Sequence, residues 1–310
     1  MTKGERRLSV LANPSLHCNG AKIHQWWQQG RVGTIAPAST TNVEQTLTYL
    51  RAECDRLYKA GYAAAIAPIA RNTWHNYRCI VEHYPIGSSG RPLFWQEPDL
   101  PSHWPSALYQ EDFYPIAHYY SAECVDLTQV DPRYPELCDR FLRQGVQLRS
   151  ANLNRPEPDL NGIYQVAIIA FARNFLFTPI DQSEFLQRYQ PLLPLLDSKW
   201  VLIAERAGAI VGFVLGLPDL LAPPTPTLIL KTVACLPGRQ WAGLGRWLVA
   251  AFHHRAHKQG YQRIIHALMH QANPSLNLSR RYAQPFRRYA LFSKVLSQSQ
   301  SSLGLDHSLD

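Results

Sequence analysis

A short glycine-containing loop is the stretch of this sequence whose residue types best fit a chemical role. Gln240 is followed by Gly243 and Gly245, between an apolar, β-branched segment at 228–236 and a helical pattern that starts near Leu244. Glycines let a ligand approach the backbone closely, and the first turn of a helix leaves N–H groups without intrahelical partners. The pattern therefore predicts an anion site that is suited to a pyrophosphate.

Three kinds of nucleotide-binding loop compete for this pattern. A Walker loop requires Lys and then Ser or Thr after its last glycine, and neither follows Gly245. A dinucleotide fingerprint requires a third glycine where this sequence has Leu248. Gln240, Gly243 and Gly245 fit Q/R-x-x-G-x-G/A, which resembles the pyrophosphate loop of the GCN5-related N-acetyltransferases, the GNAT family. A tight turn before an ordinary helix would give the same letters.

The elements around the loop strengthen this resemblance. A hairpin is predicted at 200–205 and 209–215, with a turn at 206–208, and a further strand is predicted at 263–269. A short helix at 273–282 and a last strand at 289–295 follow. The order of hairpin, strand, glycine loop, helix, strand, helix and strand resembles the GNAT fold along residues 160–295.

Four phrases narrow the resemblance to a set of long bacterial GNAT-like proteins. They are NFLFTPI at 174–180, LKTVAC at 230–235, IHALMHQANPS at 265–275 and RRYALF at 287–292. The resemblance implies an α+β, GNAT-type acyl-CoA N-acyltransferase fold with two GNAT-like units in tandem. Residues 1–125 would be a degenerate unit and 126–296 the acyl-CoA-binding catalytic unit, and the low-complexity tail at 297–310 is predicted to be disordered.

Composition limits the partners. The chain has 310 residues and a formal net charge of +8, which favours anionic partners such as an acyl-CoA. Nucleic acid is the rival partner, but Lys and Arg are dispersed and no nucleic-acid motif is present. Six cysteines without a C-x-x-C pair imply neither a zinc site nor a disulfide framework. Without a spanning run or a convincing signal peptide, a cytoplasmic location is the default expectation.

The first 125 residues alternate predicted helices and strands without a glycine-rich loop. Helices are expected at 21–30, 43–60 and 104–110, and strands at 34–38, 62–69, 77–83 and 93–98 and from 119 onward. The phrases APIARNTWHNYR at 67–78 and FWQEP at 94–98 resemble the same long proteins. Pro68 and Trp74 stand where a GNAT unit would have its loop glycines, so this unit is not expected to bind CoA in the usual way.

A pocket between the two units is the second candidate site. Trp74, Tyr77, Arg78 and Glu97 have side chains that suit a substrate pocket. In the alternative interpretation, Trp74 and Tyr77 are core aromatics and Arg78 forms a structural ion pair with Glu97.

The start of the second unit, before the hairpin, is predicted to be mainly helical. Helices are expected at 131–148 and 163–177, with a loop at 152–160 and Ser183 as the N-cap of a further helix. In the GNAT resemblance these helices form one wall of the acceptor site. A proline-rich loop is expected at 218–226.

The resemblance implies a set of donor contacts. Backbone N–H groups near Val233 and Cys235 would hold the thioester carbonyl, and Asn273 would cap its helix or contact the pantetheine arm. The loop itself would hold the pyrophosphate through Gln240, Trp241, Ala242, Gly243, Leu244, Gly245 and Arg246.

Acyl transfer to an amine also requires a base and an acid. The family uses a carboxylate on its central strands, where this sequence has Lys231 and Thr232. Glu205 is the nearest acid, and His266 and His270 are alternatives that titrate near neutral pH, although a strand histidine is often structural. Tyr282 fits loosely the place of the family's acidic tyrosine. Tyr282 is farther along the chain from Asn273 than the family's tyrosine usually is. In the alternative interpretation, its side chain has no chemical role and packs under the last strand.

These expectations converge on an N-acyltransferase. It would move an acetyl or other acyl group from CoA directly to an amine on a small molecule or protein, without a metal. A catalytically silent acyl-CoA-binding or sensing protein is the alternative, because the central strand carries no obvious carboxylate base. A basic nucleic-acid-binding module is the third hypothesis.

Overall fold

Eight α-helices and ten β-strands make up the regular structure of residues 19–85, 91–222 and 224–297, the part of the chain that the computed structural model describes. The helices are α1 Gly20–Gln28, α2 Val43–Lys59, α3 Trp104–Gln110, α4 Tyr134–Arg143, α5 Pro156–Phe171, α6 Gln182–Tyr189, α7 Leu244–Lys258 and α8 Pro274–Ser279. The strands are β1 Val32–Thr34, β2 Ala64–Ala67, β3 Cys79–His83, β4 Tyr114–Cys124, β5 Val146–Ser150, β6 Val201–Arg206, β7 Ala209–Pro218, β8 Thr227–Cys235, β9 Arg263–His270 and β10 Gln284–Val295. Apart from residues 19, 20 and 297, the irregular start and disordered tail that the sequence predicts lie outside the described residues.

The strands form one mixed sheet in the order β1-β2-β10-β4-β9-β8-β7-β6-β5, with β3 beside β10. The pairs β1–β2 and β8–β9 are parallel, and the other pairs are antiparallel. Helices pack on this sheet, so the predicted α+β class is confirmed. No helix among the described residues is long and apolar enough to span a bilayer.

The last strand of the described chain lies among strands from the first 125 residues. β10 pairs with β2, β3 and β4, and β4 pairs on its other side with β9. Tyr289 and Phe292 of β10 are fully buried in the cores around these strands. Strands from both sides of the predicted boundary at 125/126 alternate within one sheet. The boundary between two units therefore stays a prediction.

The predicted helix at 131–148 is wrong beyond Arg143. α4 ends at Arg143, and Gly145 adopts a left-handed backbone with φ of 75°. Glycine takes this conformation without steric penalty, which is why helices commonly end beside one. The chain then reverses into β5, which pairs with β6.

Other boundaries also differ from the predictions. The loop expected at 152–160 already contains the start of α5 at Pro156, where proline fits the first helical turn and the acids Glu157 and Asp159 favour the helix dipole. α6 has Asp181 rather than Ser183 as its N-cap. No strand forms at 93–98; in this irregular segment the Phe94 N–H donates a hydrogen bond to the carboxylate of Glu97.

The glycine loop and its helix follow the prediction closely. β8 ends at Cys235, a short 3-10 turn spans Arg239–Trp241, and α7 begins at Leu244. Trp247 and Phe252 anchor α7 in the core, against Phe141 of α4 and Trp200 respectively. The helix start is therefore fixed against both α4 and the sheet.

Candidate functional site

The neighbouring strands β8 and β9 separate halfway along their length. They pair in parallel over residues 227–230 and 263–266, and Leu230 opposite His266 is the last pair. Beyond that point, β8 has no strand partner on this side among the described residues. Alternate backbone N–H and C=O groups of 231–235 therefore face the opening between the strands.

Lys231 lies at the point where the strands separate. On the opposite edge of β8, Leu215 pairs with Thr232 and Gly216 pairs with Leu230, so Lys231 is an extra residue without a partner on β7. Such a β-bulge bends a strand and re-aims a side chain, and bulges are frequent beside active sites. The Lys231 side chain lines the cavity that fills the opening.

This cavity has a volume of about 1370 Å³. Its walls come from the loop at 71–78, from α5 and α6, from the separated parts of β8 and β9, and from α8. Much of the wall is aromatic, contributed by Trp74, Tyr77, Tyr119, Phe171, Phe175 and Phe177. A large apolar cleft with a few polar groups is the usual form of a small-molecule site.

The glycine loop presents backbone N–H groups at the start of α7. Gly243 has φ of 86°, and a Cβ at this position would lie 3.1 Å from Leu137 Cδ2. The first hydrogen bond of the helix is donated by the Trp247 N–H to the Gly243 carbonyl at 3.0 Å. The N–H groups of Leu244, Gly245 and Arg246 precede it and have no intrahelical acceptor. They are suited to a phosphate.

The side chains predicted to bind the donor are distributed between the cavity, the core and the surface. Val233 and Asn273 line the cavity, and Asn273 also caps α8 by accepting the Ser275 N–H. Trp241 and Leu244 are buried in the core, and Cys235 is partly buried beside Val233 and Gly245. Gln240, Ala242 and Gly243 are exposed, whereas Arg246 is bound to the Asp131 carboxylate by two bonds of 2.5 and 2.6 Å.

Arg140 of α4 contacts the glycine loop, and the sequence analysis did not predict this contact. Its Nη2 donates to the Ala242 carbonyl, and its guanidinium lies 4.3 Å from the ring centre of Phe141. No salt bridge to a carboxylate forms at Arg140 within the described part of the chain. The sequence carries no local signal for this contact, because Arg140 precedes the loop by about 100 residues.

Glu205, the predicted base, does not line the cavity. It lies on β6, where it accepts a 2.7 Å hydrogen bond from Nε of Arg149. Arg149 also binds Asp159, so Glu205 belongs to an ion-pair network that links β5, β6 and α5.

Tyr282, the predicted acid, also lies outside this cavity. Its hydroxyl donates to Asp131 Oδ2 at 3.1 Å, and its ring stacks on His253 with centroids 4.3 Å apart. Burial and the neighbouring Asp131 carboxylate raise the pKa of Tyr282 well above its ordinary value. The hydroxyl is therefore a structural donor to Asp131.

The two histidines of β9 are neutral. Burial lowers the pKa of His266 to about 4, and burial together with Arg78 and His118 lowers the pKa of His270 to about 4. His266 lies between His253 Nε2 at 2.8 Å and Ser279 Oγ at 2.9 Å. His270 Nδ1 accepts the Ala272 N–H at 3.1 Å, so the ring proton is on Nε2. His270 consequently offers the cavity a hydrogen-bond donor rather than a base.

Lys231 is an ionisable group of the cavity whose pKa is lowered towards the physiological range. Burial, followed by the nearby Arg78 and Arg188, lowers its pKa to about 8. Within the described part of the chain, its Nζ donates one hydrogen bond, to the Gln96 carbonyl at 3.3 Å. A lysine with a depressed pKa is a common general base or nucleophile.

All four residues predicted for the pocket between the units line the cavity. Trp74 donates to the Thr178 carbonyl at 2.8 Å and packs against Phe171 and Phe177. The alternative of an Arg78–Glu97 ion pair is wrong, because Glu97 binds Arg287 instead. The pocket thus joins side chains from both predicted units.

Comparison with known proteins supports the GNAT resemblance for the second part of the chain. Residues 167–282 match the model of the acetyltransferase (GNAT) family, and this segment is a GNAT domain. A search of curated proteins found no match to the sequence.

Three solved structures illustrate the similarity of the backbone. A GCN5-related N-acetyltransferase from Sphaerobacter thermophilus is 18% identical over 66% of this chain and 58% of that chain, with a TM-score of 0.46. A tandem GNAT protein from the clavulanic acid biosynthesis pathway is 12% identical over 81% and 70%, with a TM-score of 0.46. A GNAT acetyltransferase from Brucella melitensis, in complex with acetyl-CoA, is 24% identical over 37% and 71%, with a TM-score of 0.29. The chain thus spans less than two thirds of the Sphaerobacter protein.

Proposed function

We propose that this chain, which carries a GNAT domain at residues 167–282, transfers an acyl group from CoA to an amine. The observation that carries the proposal is the separation of β8 and β9 after Leu230 and His266, directly before the glycine loop. An extended thioester arm fits beside an unpaired strand edge, because that edge supplies backbone donors and acceptors.

The donor is held at two places. The N–H groups of Leu244, Gly245 and Arg246 bind the pyrophosphate at the start of α7, where the helix dipole also favours an anion. Arg140 lies beside this loop and adds a positive charge. Backbone N–H groups within 231–235 bind the arm and the thioester carbonyl, as the resemblance implies for Val233 and Cys235.

Lys231 acts as the general base in place of the family's carboxylate. Its neutral amine takes one proton from the acceptor's ammonium group, and the freed amine attacks the thioester carbonyl. The second proton leaves the nitrogen as the N–C bond forms and goes to the departing CoA thiolate, so no covalent enzyme intermediate is needed. A positioned base contributes roughly 10²- to 10⁴-fold in rate.

His270 is assigned a supporting role. Its ring proton is on Nε2, since Nδ1 accepts a backbone N–H, and the residue lines the cavity. It can donate to the acceptor or to the developing oxyanion. Glu205 and Tyr282 are left out of the reaction because each is bound to another residue outside the cavity.

A calorimetric titration with acetyl-CoA, followed by a CoA-release assay with amines, tests the proposal. We expect binding by the wild type and by Lys231→Gln, and turnover by the wild type alone. If the wild type binds acetyl-CoA but shows no turnover with acetyl-CoA or longer acyl donors, the protein is a catalytically silent acyl-CoA-binding protein. The absence of binding would refute both functions.

A further inference from the structure

Arg78 is a buried guanidinium at the wall of the cavity. The residue is 6% exposed and adopts φ of 72°, which is unusual for a residue other than glycine. Its guanidinium carbon lies 3.8 Å from the ring centre of Tyr77 and 4.2 Å from that of Tyr119. The two aromatic rings and the strained backbone hold the group in one orientation.

Among the described residues, the hydrogen-bond acceptors of the guanidinium are backbone carbonyls. Nε donates to the Tyr77 carbonyl and Nη1 to the Leu268 carbonyl, each at 3.2 Å. A guanidinium carries five N–H donors, so three have no acceptor in the described part of the chain. No carboxylate there forms an ion pair with Arg78. Burying a charge without a counter-ion is costly, and such a group is therefore a strong attractor for an anion that enters the cavity.

The other charges of the cavity also favour an anion. Lys231 lies close enough to Arg78 and to Arg188 to interact electrostatically with both. The acids that line the cavity are already engaged: Glu97 by Arg287, and Asp159 by Arg149. Glu184 lies 3.6 Å from Arg71 and 3.7 Å from His75. The unengaged charges near Lys231 are thus positive.

This anion site is separate from the donor's pyrophosphate site. The cavity is bordered by Arg78 and Lys231, whereas residues 240–246 of the glycine loop do not border it. An anion at Arg78 would therefore belong to the second substrate. The apolar part of this second substrate would contact the aromatic side chains of Trp74, Phe171 and Phe177 in the cavity wall.

We propose that the acceptor is a small amine that also carries a carboxylate, as an apolar or aromatic amino acid does, and that Arg78 binds this carboxylate while Lys231 receives the amine's proton. The inference rests on the proposed acyl transfer. A planar guanidinium edge matches a carboxylate by two parallel hydrogen bonds. The amine of an α-amino acid lies next to its carboxylate, so one molecule can reach both side chains.

The test uses matched acceptors with acetyl-CoA as donor. L-Phenylalanine, L-tryptophan and L-leucine are each compared with the decarboxylated amine, and phenylalanine also with its phosphonate analogue. We expect kcat/KM for CoA release to be at least roughly 10-fold higher with a carboxylated acceptor than with its decarboxylated partner. In Arg78→Gln the carboxylated acceptor should lose roughly 10- to 100-fold, mainly through KM, while the decarboxylated amine is unaffected.

Two controls separate the possible failures. Arg56→Gln, on the exposed face of α2, should match the wild type. Arg78→Lys keeps the charge and should recover part of the loss if Arg78→Gln fails to fold. Acetyl-CoA binding, measured by calorimetry on every variant, reports the proposed function independently.

Several outcomes would overturn the carboxylate assignment while acetyl-CoA binding stands. These are equal use of amino acids and decarboxylated amines, preference for the phosphonate, an equal loss with both acceptor types in Arg78→Gln, and no CoA release with any member of the panel. Loss of acetyl-CoA binding by the wild type would instead refute the proposed function.

Discussion

Glu97 and Arg287 are 190 positions apart in the sequence and form an ion pair whose side chains are completely buried. Glu97 also accepts the Tyr289 hydroxyl, and Arg287 donates to the Arg91 carbonyl at 2.5 Å. The pair attaches the irregular segment at 91–98 to β10. It thereby fixes one border of the cavity, because Gln96 and Glu97 line it.

Removal of one partner of this pair should be strongly destabilising. In Glu97→Ala the Arg287 charge remains buried without its carboxylate, at a cost of about 3–5 kcal/mol in the free energy of unfolding. The double variant Glu97→Met with Arg287→Met should be less destabilised than Glu97→Ala, since no unpaired charge is left. Urea denaturation of the three proteins measures both differences, and a double variant that is weaker than Glu97→Ala would contradict this account.

The strand order predicts that the second part of the chain does not fold alone. A fragment of residues 126–297 would leave β10 without β2, β3 and β4, and would expose the β9 edge that β4 covers. Unpaired apolar strands of this kind aggregate. We expect no cooperative unfolding transition from the fragment, measured by circular dichroism beside the full chain. A soluble fragment with a transition like that of the full chain would refute the prediction.

The buried histidines predict a loss of stability in acid. In the folded protein the pKa of His266 is about 4, whereas an unfolded histidine titrates near 6.5. The unfolded state therefore binds protons first as the pH falls, so stability decreases between pH 6.5 and pH 4. From pH 7 to pH 5, His266 alone accounts for on the order of 2 kcal/mol.

Urea denaturation at the two pH values measures this loss. His266→Asn should show a smaller difference between pH 7 and pH 5, whatever its absolute stability. The exposed His257→Asn is the matched control and should keep the wild-type difference. An unchanged difference in His266→Asn would show that His266 is not the source.

The base role of Lys231 predicts a specific pH profile. The neutral amine is the active form, so kcat should rise with pH and level off above about 8, the pKa to which burial lowers this lysine. Lys231→Gln should have a low rate that does not follow this titration, with acetyl-CoA binding retained. Thr232→Val alters the next side chain and should keep the profile. A wild-type profile that persists in Lys231→Gln would assign the titration to another group.

The sequence predicts those parts of the site that are specified locally. The break after β8, the glycines and the apolar spacing of α7 lie within a single stretch, and this unit forms as expected. Gln240, Gly243 and Gly245 indicate the loop because its backbone needs glycines at this spacing directly before the helix. Glu205 and Tyr282, in contrast, were chosen by position along the chain, and each is bound to a partner that is remote in sequence: Arg149 and Asp131.

The sequence predicts four residues of the cavity wall, Trp74, Tyr77, Arg78 and Glu97, but not the shape of the cavity, because that shape depends on pairing between distant strands. The bulge at Lys231 is defined by its register against β7, and the opening by the point at which β9 leaves β8. The aromatic sandwich around Arg78 needs Tyr119 of β4, and Tyr119 pairs with His270 of β9, which is about 150 positions away in the sequence. No local pattern encodes such an arrangement.

The most direct measurement of the central claim is calorimetric titration of acetyl-CoA into the wild type, Ala242→Asp and Ala242→Asn. Ala242 is exposed in the glycine loop, and its φ of −58° is open to any residue. We predict binding by the wild type, an affinity at least about 10-fold weaker in Ala242→Asp because its charge opposes the pyrophosphate, and little change in the neutral, isosteric Ala242→Asn. Absence of binding by the wild type, or equal affinity of the Asp and Asn variants, would contradict a donor site at this loop.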